Sequence, residues 1–221
     1  MKKITSIVFA IFLLVSCGEN TKIGKYTKEP LPENFTYEIV KDESNEALEK
    51  NQLSVELSAK LTESQIATIA EELFNYKDKQ RRFYISYNLK GIENTSTFWA
   101  ISNFDPELEI EIIGSTIEQD KAKDKLLEKV DGEVIGIWNE NKYTYSNLLI
   151  FKKDNKTFLK TIYKSGQVSD VELTESKNNN GTRYDYKDGG YNGEYFVLNK
   201  ENNLELYNKE NKNYTTAMRK K

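Results

Sequence analysis

The sequence contains no histidine, and this absence excludes several kinds of active site at once. A Ser-His-Asp triad, a Cys-His pair and a zinc site of the HExxH type all depend on imidazole. The single cysteine excludes an intrachain disulfide and a four-cysteine zinc ribbon. Basic residues (32) nearly balance acidic residues (35), so the chain offers no basic field for nucleic acid. Neither a P-loop nor a dinucleotide-binding fingerprint occurs, and we therefore expect no nucleic-acid partner and no cofactor.

The first 16 residues are arranged like a secretory signal peptide. Lys2 and Lys3 provide a positive start, and residues 4–15 form an apolar stretch. This stretch is shorter than a permanent membrane helix, which needs about 20 residues. We therefore predict that residues 1–16 direct export and are removed.

The residues that end this segment, Leu14-Val15-Ser16-Cys17, resemble the lipobox of bacterial lipoproteins. The resemblance implies that Cys17 receives fatty acids such as palmitate, becomes the first mature residue and anchors the chain in a membrane. Two or three acyl chains give a stable anchor, whereas one binds only marginally. The alternative is a plain secretory signal that ends at a cysteine by chance.

Gly18 stands after the cysteine where an Asp would signal retention in the inner membrane. In this family that pattern favours delivery to the outer membrane of a Gram-negative cell. The predicted location is therefore the cell envelope, with the protein facing the periplasm or the cell surface. Residues 17–34 are polar after the cysteine and contain Pro30 and Pro32, a composition that predicts a flexible tether.

Residues 35–131 have the pattern of an α+β domain. Thr62 and Gln65 are spaced as a capping box, and apolar residues at helical spacing predict a helix over 62–77. A weaker pattern predicts a second helix over 116–130. Alternating apolar residues predict strands near 35–40, 53–59, 83–89, 98–102 and 108–112. We expect two helices on an antiparallel sheet.

Residues 132–221 carry no helix signal and read as an all-β domain. Strand-like runs occur at 133–138, 145–152, 156–163, 168–174, 182–187, 193–198, 203–207 and 214–218. Runs separated by short polar turns predict an antiparallel meander, and closing it into a small barrel would remove the exposed edges. The predicted fold class is α+β, with the helical layer followed by this barrel.

One part of the chain resembles a recurrent segment of uncharacterised bacterial proteins. The similar residues are the run from Phe83 to Gly91, Trp99-Ala100 and the run from Phe104 to Ile110. Val134 to Trp138 and the Ser165-Gly166 turn are also similar to that group, whose second half is a series of strands. The resemblance implies this order of domains and implies no activity.

Aromatic residues in the second domain are the best candidates for ligand contacts. Trp138, Tyr145, Tyr163 and Tyr195 have an apolar face and a polar edge, and at a barrel mouth they would suit a small ligand or a sugar. The alternative is ordinary strand composition, because tyrosine is favoured in strands.

Carboxylates give a weaker signal. Glu107, Glu109 and Glu111 lie on one face of a predicted strand, where three oxygens in a row would suit Ca²⁺. The apolar residues between them favour a solvated strand face instead, and we predict no metal site. A glycoside hydrolase needs two carboxylates about 5–9.5 Å apart in a cleft, and the sequence locates no such pair.

These observations favour a lipid-anchored envelope protein that binds or interacts without catalysis. Its partners would be the membrane, through the anchor, and a protein that the sequence does not identify. An inhibitor or immunity protein is one form of this function. The alternatives are a small-ligand or sugar-binding barrel and, third, a carboxylate-based glycoside hydrolase.

Overall fold

The computed structural model describes residues 22–77, 82–92, 98–128, 130–189 and 193–220. The first of two units contains the described residues up to Gly91 together with Phe98–Ile113, and the second contains Ile92 and the residues from Gly114 onward. Cys17 and the segment before it lie outside the described residues. Within the described part of the chain, the helices lack the length and hydrophobicity that a membrane crossing requires.

The first unit is a five-stranded mixed sheet with one long helix. In chain order its elements are β1 (Lys22–Ile23), β2 (Tyr26–Thr27), β3 (Tyr37–Asp42), a 3₁₀ helix (Glu46–Leu48), β4 (Lys50–Leu57), α1 (Glu63–Tyr76), β5 (Arg82–Leu89), β6 (Ala100–Phe104) and β7 (Leu108–Ile112). The strand order in the sheet is β3-β4-β5-β6-β7. The β4–β5 pair is parallel, unlike the antiparallel sheet that we predicted, because α1 forms the crossover between these two strands.

Helix α1 begins where its capping box predicts. The Thr62 hydroxyl oxygen accepts the Gln65 N–H at 3.2 Å, and Gln65 Oε1 accepts the Thr62 N–H at 3.1 Å. The apolar side of the helix covers one face of the sheet and buries the core of the unit. That core includes Leu53, Val55, Leu57, Ile66, Ile69, Phe83, Ile85 and Tyr87.

The segment before β3 is bound to the first unit, which differs from the predicted tether. The Tyr26 ring is buried, and its hydroxyl oxygen accepts the Ile110 N–H at 2.9 Å. Along α1, the Glu29 carbonyl accepts the Thr68 hydroxyl at 2.9 Å, and the Pro30 carbonyl accepts an amide N–H of Gln65 at 3.1 Å. Although this segment is mostly polar, its Tyr26 and Leu31 side chains pack against the core of the first unit and hold it in place.

The second unit is a helix followed by a closed antiparallel barrel of eight strands. Its elements are α2 (Ile117–Leu127), β8 (Glu133–Glu140), β9 (Ser146–Lys153), β10 (Lys156–Ile162), β11 (Val168–Asn178), β12 (Gly181–Tyr186), β13 (Tyr195–Asn199), β14 (Leu204–Tyr207) and β15 (Asn213–Arg219). Each strand pairs with the next, and β15 closes the barrel on β8. The predicted α+β class with a barrel is confirmed, and each of the eight predicted runs corresponds to one strand.

Helix α2 belongs to the second unit, whereas the sequence placed it at the end of the first domain, before a boundary at residue 131. Leu127 forms an apolar cluster with Leu149, Phe151 and Ile162 of β9 and β10. The weak apolar pattern of α2 reflects this narrow contact, because most of its side chains face solvent or make polar bonds.

The interior of the barrel is occupied by side chains. Trp138 is fully buried, and its Nε1 donates to the Asn202 carbonyl at 2.8 Å. A Cβ on Gly136 would lie 2.5 Å from the Trp138 ring, so the indole fits only because that position has no side chain. The residues that fill the interior are Trp138, Leu148, Ile150, Leu159, Leu173, Tyr184, Phe196, Leu204, Leu206 and Ala217.

We expect Gly136→Ala to lower the free energy of unfolding by about 1–3 kcal/mol, since the added methyl group overpacks the Trp138 site. Urea denaturation measures this change. In a Trp138→Phe background the smaller ring leaves room, so the same substitution should cost less. An equal cost in both backgrounds would contradict the proposed steric contact.

Candidate functional site

The four candidate aromatic residues do not share one barrel mouth. Trp138 lies in the filled interior. Tyr195 lies beside inward-facing Phe196 and therefore faces outward, with only 5% of its surface exposed. Its ring stacks on Tyr207 with centroids 5.0 Å apart, and the Arg183 guanidinium lies 3.6 Å from its centroid. This stack leaves the Tyr195 ring little surface for a ligand.

Tyr145 and Tyr163 do lie at one end of the barrel. Tyr145 directly precedes β9, and Tyr163 directly follows β10. Because β9 and β10 are antiparallel neighbours, with Asn147 opposite Ile162, these two residues reach the same end. The loop between β8 and β9 and the turn between β10 and β11 therefore meet there.

The loop between β8 and β9 is organised by the carboxylate of Glu140, which is 2% exposed. This carboxylate accepts the backbone N–H groups of Lys142 at 2.8 Å, Tyr143 at 3.1 Å and Thr144 at 2.7 Å. The hydroxyl groups of Thr144 and Thr215 donate to it at 2.8 and 3.4 Å. Burying a carboxylate is costly unless such donors satisfy it. The loop must therefore wrap around Glu140 with its backbone N–H groups directed at the carboxylate.

A buried lysine fixes the same loop to α2. Lys123 is 2% exposed, and its Nζ donates to the Tyr145 carbonyl at 2.7 Å. The same ammonium lies 3.0 Å from Oδ1 of Asp120. Tyr145 has a φ of 49°, a left-handed backbone that is unusual for a large side chain. The bond from Lys123 therefore holds the loop in a conformation that costs energy locally.

Further polar bonds extend this arrangement along α2. The Asn147 side-chain amide donates to Oδ1 of Asp124 at 3.1 Å, and Lys220 pairs with the same carboxylate. Ser115 donates to Oδ1 of Asp120 at 2.7 Å. We call these groups the polar network. Its members are Ser115, Asp120, Lys123, Asp124, Glu140, Thr144, Tyr145, Ser146, Asn147, Thr215 and Lys220.

One tyrosine next to the polar network resists ionisation. Burial and, to a smaller extent, the carboxylates of Glu194 and Glu140 raise the pKa of Tyr214 to about 12. The Tyr214 hydroxyl therefore stays neutral at every pH near neutrality. It adds no negative charge to this end of the barrel.

An open depression with a volume of about 670 Å³ lies against the polar network. We call it the α2 depression. Its lining residues are Gln119, Thr144, Tyr163, Lys164, Ser165, Gln167 and Ser169. They come from three elements, namely the first turn of α2, the β8–β9 loop, and the β10–β11 turn with the start of β11. Of the four candidate aromatic residues, only Tyr163 lines it.

The β10–β11 turn is fixed by its own backbone. The Tyr163 N–H donates to the Gln167 carbonyl at 2.9 Å, and the Gly166 N–H donates to the Tyr163 carbonyl at 2.9 Å. Gly166 has a φ of 84°, a left-handed conformation that glycine adopts without steric cost. The turn therefore presents Ser165 and Gln167 at defined positions.

Most residues of the α2 depression were not predicted from the sequence. One available signal was the spacing of Thr116 and Gln119, which repeats the capping box of the first helix. In the structure the Thr116 hydroxyl oxygen accepts the Gln119 N–H at 3.2 Å, and Gln119 Oε1 accepts the Thr116 N–H at 2.9 Å. The capping-box rule, applied to Thr116 and Gln119, would have placed Gln119 in the first turn of α2.

A second depression, of about 400 Å³, lies on the sheet of the first unit. Glu109 and Glu111 line it, but both carboxylates are exposed, and Glu109 pairs with Lys25 at 3.2 Å. A glycosidase general acid needs an environment that holds its proton at neutral pH, usually through burial. Among the described residues, no group of three side chains that bind metals comes together.

Comparisons with protein-family models, with curated proteins and with solved structures found no match. Any ligand must therefore be inferred from the chemistry of the site itself.

We expect Glu140→Gln to lower the free energy of unfolding by about 2–3 kcal/mol, because the amide group points N–H donors at backbone N–H donors. Urea denaturation followed by circular dichroism measures this loss. Glu201→Gln, in an exposed turn, is the matched control and should leave stability within about 0.5 kcal/mol of the wild type. Equal stability of the two variants would show that the loop does not depend on Glu140.

Proposed function

We propose that this chain is a lipid-anchored lipoprotein of the bacterial cell envelope that acts as a non-catalytic binding protein. The observation that carries the proposal is the position of the single cysteine, Cys17, directly after Leu14-Val15-Ser16. In the lipobox this is the residue that receives the acyl chains. Gly18 favours the outer membrane in a Gram-negative cell. An inhibitor or immunity protein directed at a protein partner is one form of this function.

The bonding of the buried ionisable groups supports binding over catalysis. Glu140 and Lys123 are the buried charged residues of the second unit among the described residues, and both are engaged by backbone groups of one loop. A general acid or base must instead reach the proton that it transfers to or from a substrate. These groups therefore fit a role in holding a binding surface.

The filled barrel supports an external binding surface. Ten buried side chains, Trp138 among them, occupy the interior. A ligand inside the barrel would have to displace this core. The outer surface, the ends of the barrel and the sheet of the first unit remain as surfaces for a partner.

The short connection to the anchor supports a position close to the bilayer. Residues 18–21 separate Cys17 from β1, which begins at Lys22. The five steps from Cys17 to Lys22 span at most about 18 Å when extended. We propose that acylation of Cys17 therefore holds the first unit near the membrane surface, where the predicted longer tether would have let it move away.

We expect Cys17→Ala to abolish labelling by radioactive palmitate and to release the protein from the membrane fraction, because no acyl chain is then attached. Fractionation after a high-salt wash measures the release. Asn20→Ala, which leaves the lipobox intact, is the matched control and should stay in the membrane fraction. Sedimentation of Cys17→Ala with washed membranes would overturn the anchor.

A further inference from the structure

We propose that the α2 depression binds a neutral oligosaccharide. The inference rests on the second unit alone and does not depend on the lipid anchor. It assigns a ligand class to the end of the barrel where the polar network lies.

The lining of the α2 depression matches the chemistry of sugar hydroxyls. Besides Tyr163, five of its seven lining residues carry neutral hydroxyl or amide side chains. Each of these groups both donates and accepts hydrogen bonds, as each sugar hydroxyl does. The half-buried Tyr163 ring adds an apolar surface for the C–H face of a sugar ring, with a phenolic hydroxyl at its edge.

The charge of the lining favours a neutral ligand. Lys164 is the one charged residue among the described lining residues. Protein sites for carboxylate or phosphate groups typically use the planar fork of Arg or several cationic side chains, whereas this lining has no Arg and a single Lys.

The three elements that line the depression are fixed before any ligand arrives. Glu140 and Lys123 hold the β8–β9 loop, and the capping box of Thr116 and Gln119 holds the first turn of α2. Backbone bonds between Tyr163 and Gln167 hold the β10–β11 turn. Ordering of loops is a main cost of binding, and this cost has already been met during folding.

Two other aromatic or concave features of the described residues fit a sugar less well. The Tyr195 and Tyr207 rings stack on each other, so these faces are not open to a ligand. The depression of the first unit carries Lys50, Glu109 and Glu111, which give it charges of both signs. Neither combines an open aromatic ring with a mostly neutral polar lining.

Titration calorimetry of the full chain in a zwitterionic detergent tests the proposal, since a detergent with a sugar headgroup would compete. The probes are maltotetraose, cellotetraose, mannotetraose and chitotetraose, together with one sulfated tetrasaccharide. We expect at least one neutral probe to bind.

Tyr163→Ala and Gln167→Ala should each weaken that binding by about tenfold, which corresponds to 1.4 kcal/mol. Tyr143→Ala, at an exposed tyrosine of the β8–β9 loop that does not line the depression, should bind like the wild type.

Three results would overturn the proposal. One is that no neutral probe binds at millimolar concentration. Another is that a double variant of Tyr163→Ala and Gln167→Ala, shown to be folded by circular dichroism, binds as tightly as the wild type. The third is that only the sulfated probe binds, which would indicate an anion site around Lys164. Cys17→Ala should bind the sugar unchanged, so failure of the anchor and failure of the sugar site are distinguishable.

Discussion

The carboxylate of Glu140, buried at the end of β8, is the interaction on which this end of the barrel depends. It cannot be left without donors, so the next four residues fold around it and deliver three backbone N–H groups. That loop then turns through the left-handed backbone of Tyr145, whose carbonyl receives the Lys123 ammonium of α2. The position of α2, and with it one wall of the α2 depression, follows from the loop.

The packing of the barrel interior sets where function can lie. Trp138 fills the space that Gly136 leaves, and nine further side chains complete the core. Because the interior is used for stability, the proposed binding has to occur on the outside or at an end. The end that carries α2 holds the buried charged residues of the second unit and the larger of the two depressions. The proposed sugar site therefore lies where the barrel combines polar groups with a rigid backbone.

Local signals in the sequence were sufficient for the elements but not for their arrangement. The Thr62 capping box predicts α1, and the alternation of apolar and polar residues in 132–221 predicts the barrel strands. Both patterns depend only on residues that are close together in the sequence. Alternation does not reveal strand direction, so the parallel β4–β5 pair was missed. Alternation also does not reveal which of the two faces of a strand points into the barrel until one residue has been assigned to a face. Phe196 points into the barrel, and Tyr195, predicted as a ligand contact, therefore points out. Tyr163, predicted as a ligand contact, lines the α2 depression, whose other walls come from α2 and the β8–β9 loop.

Native-state hydrogen exchange of the Lys142, Tyr143 and Thr144 amides tests most directly whether Glu140 organises this end of the barrel. These amides lie in a loop, where exchange is ordinarily fast. The account predicts that they exchange as slowly as the amides of the β8–β9 ladder, such as Leu149, because the buried carboxylate holds them. Exchange as fast as that of Asn155, in the two-residue turn between β9 and β10, would contradict it.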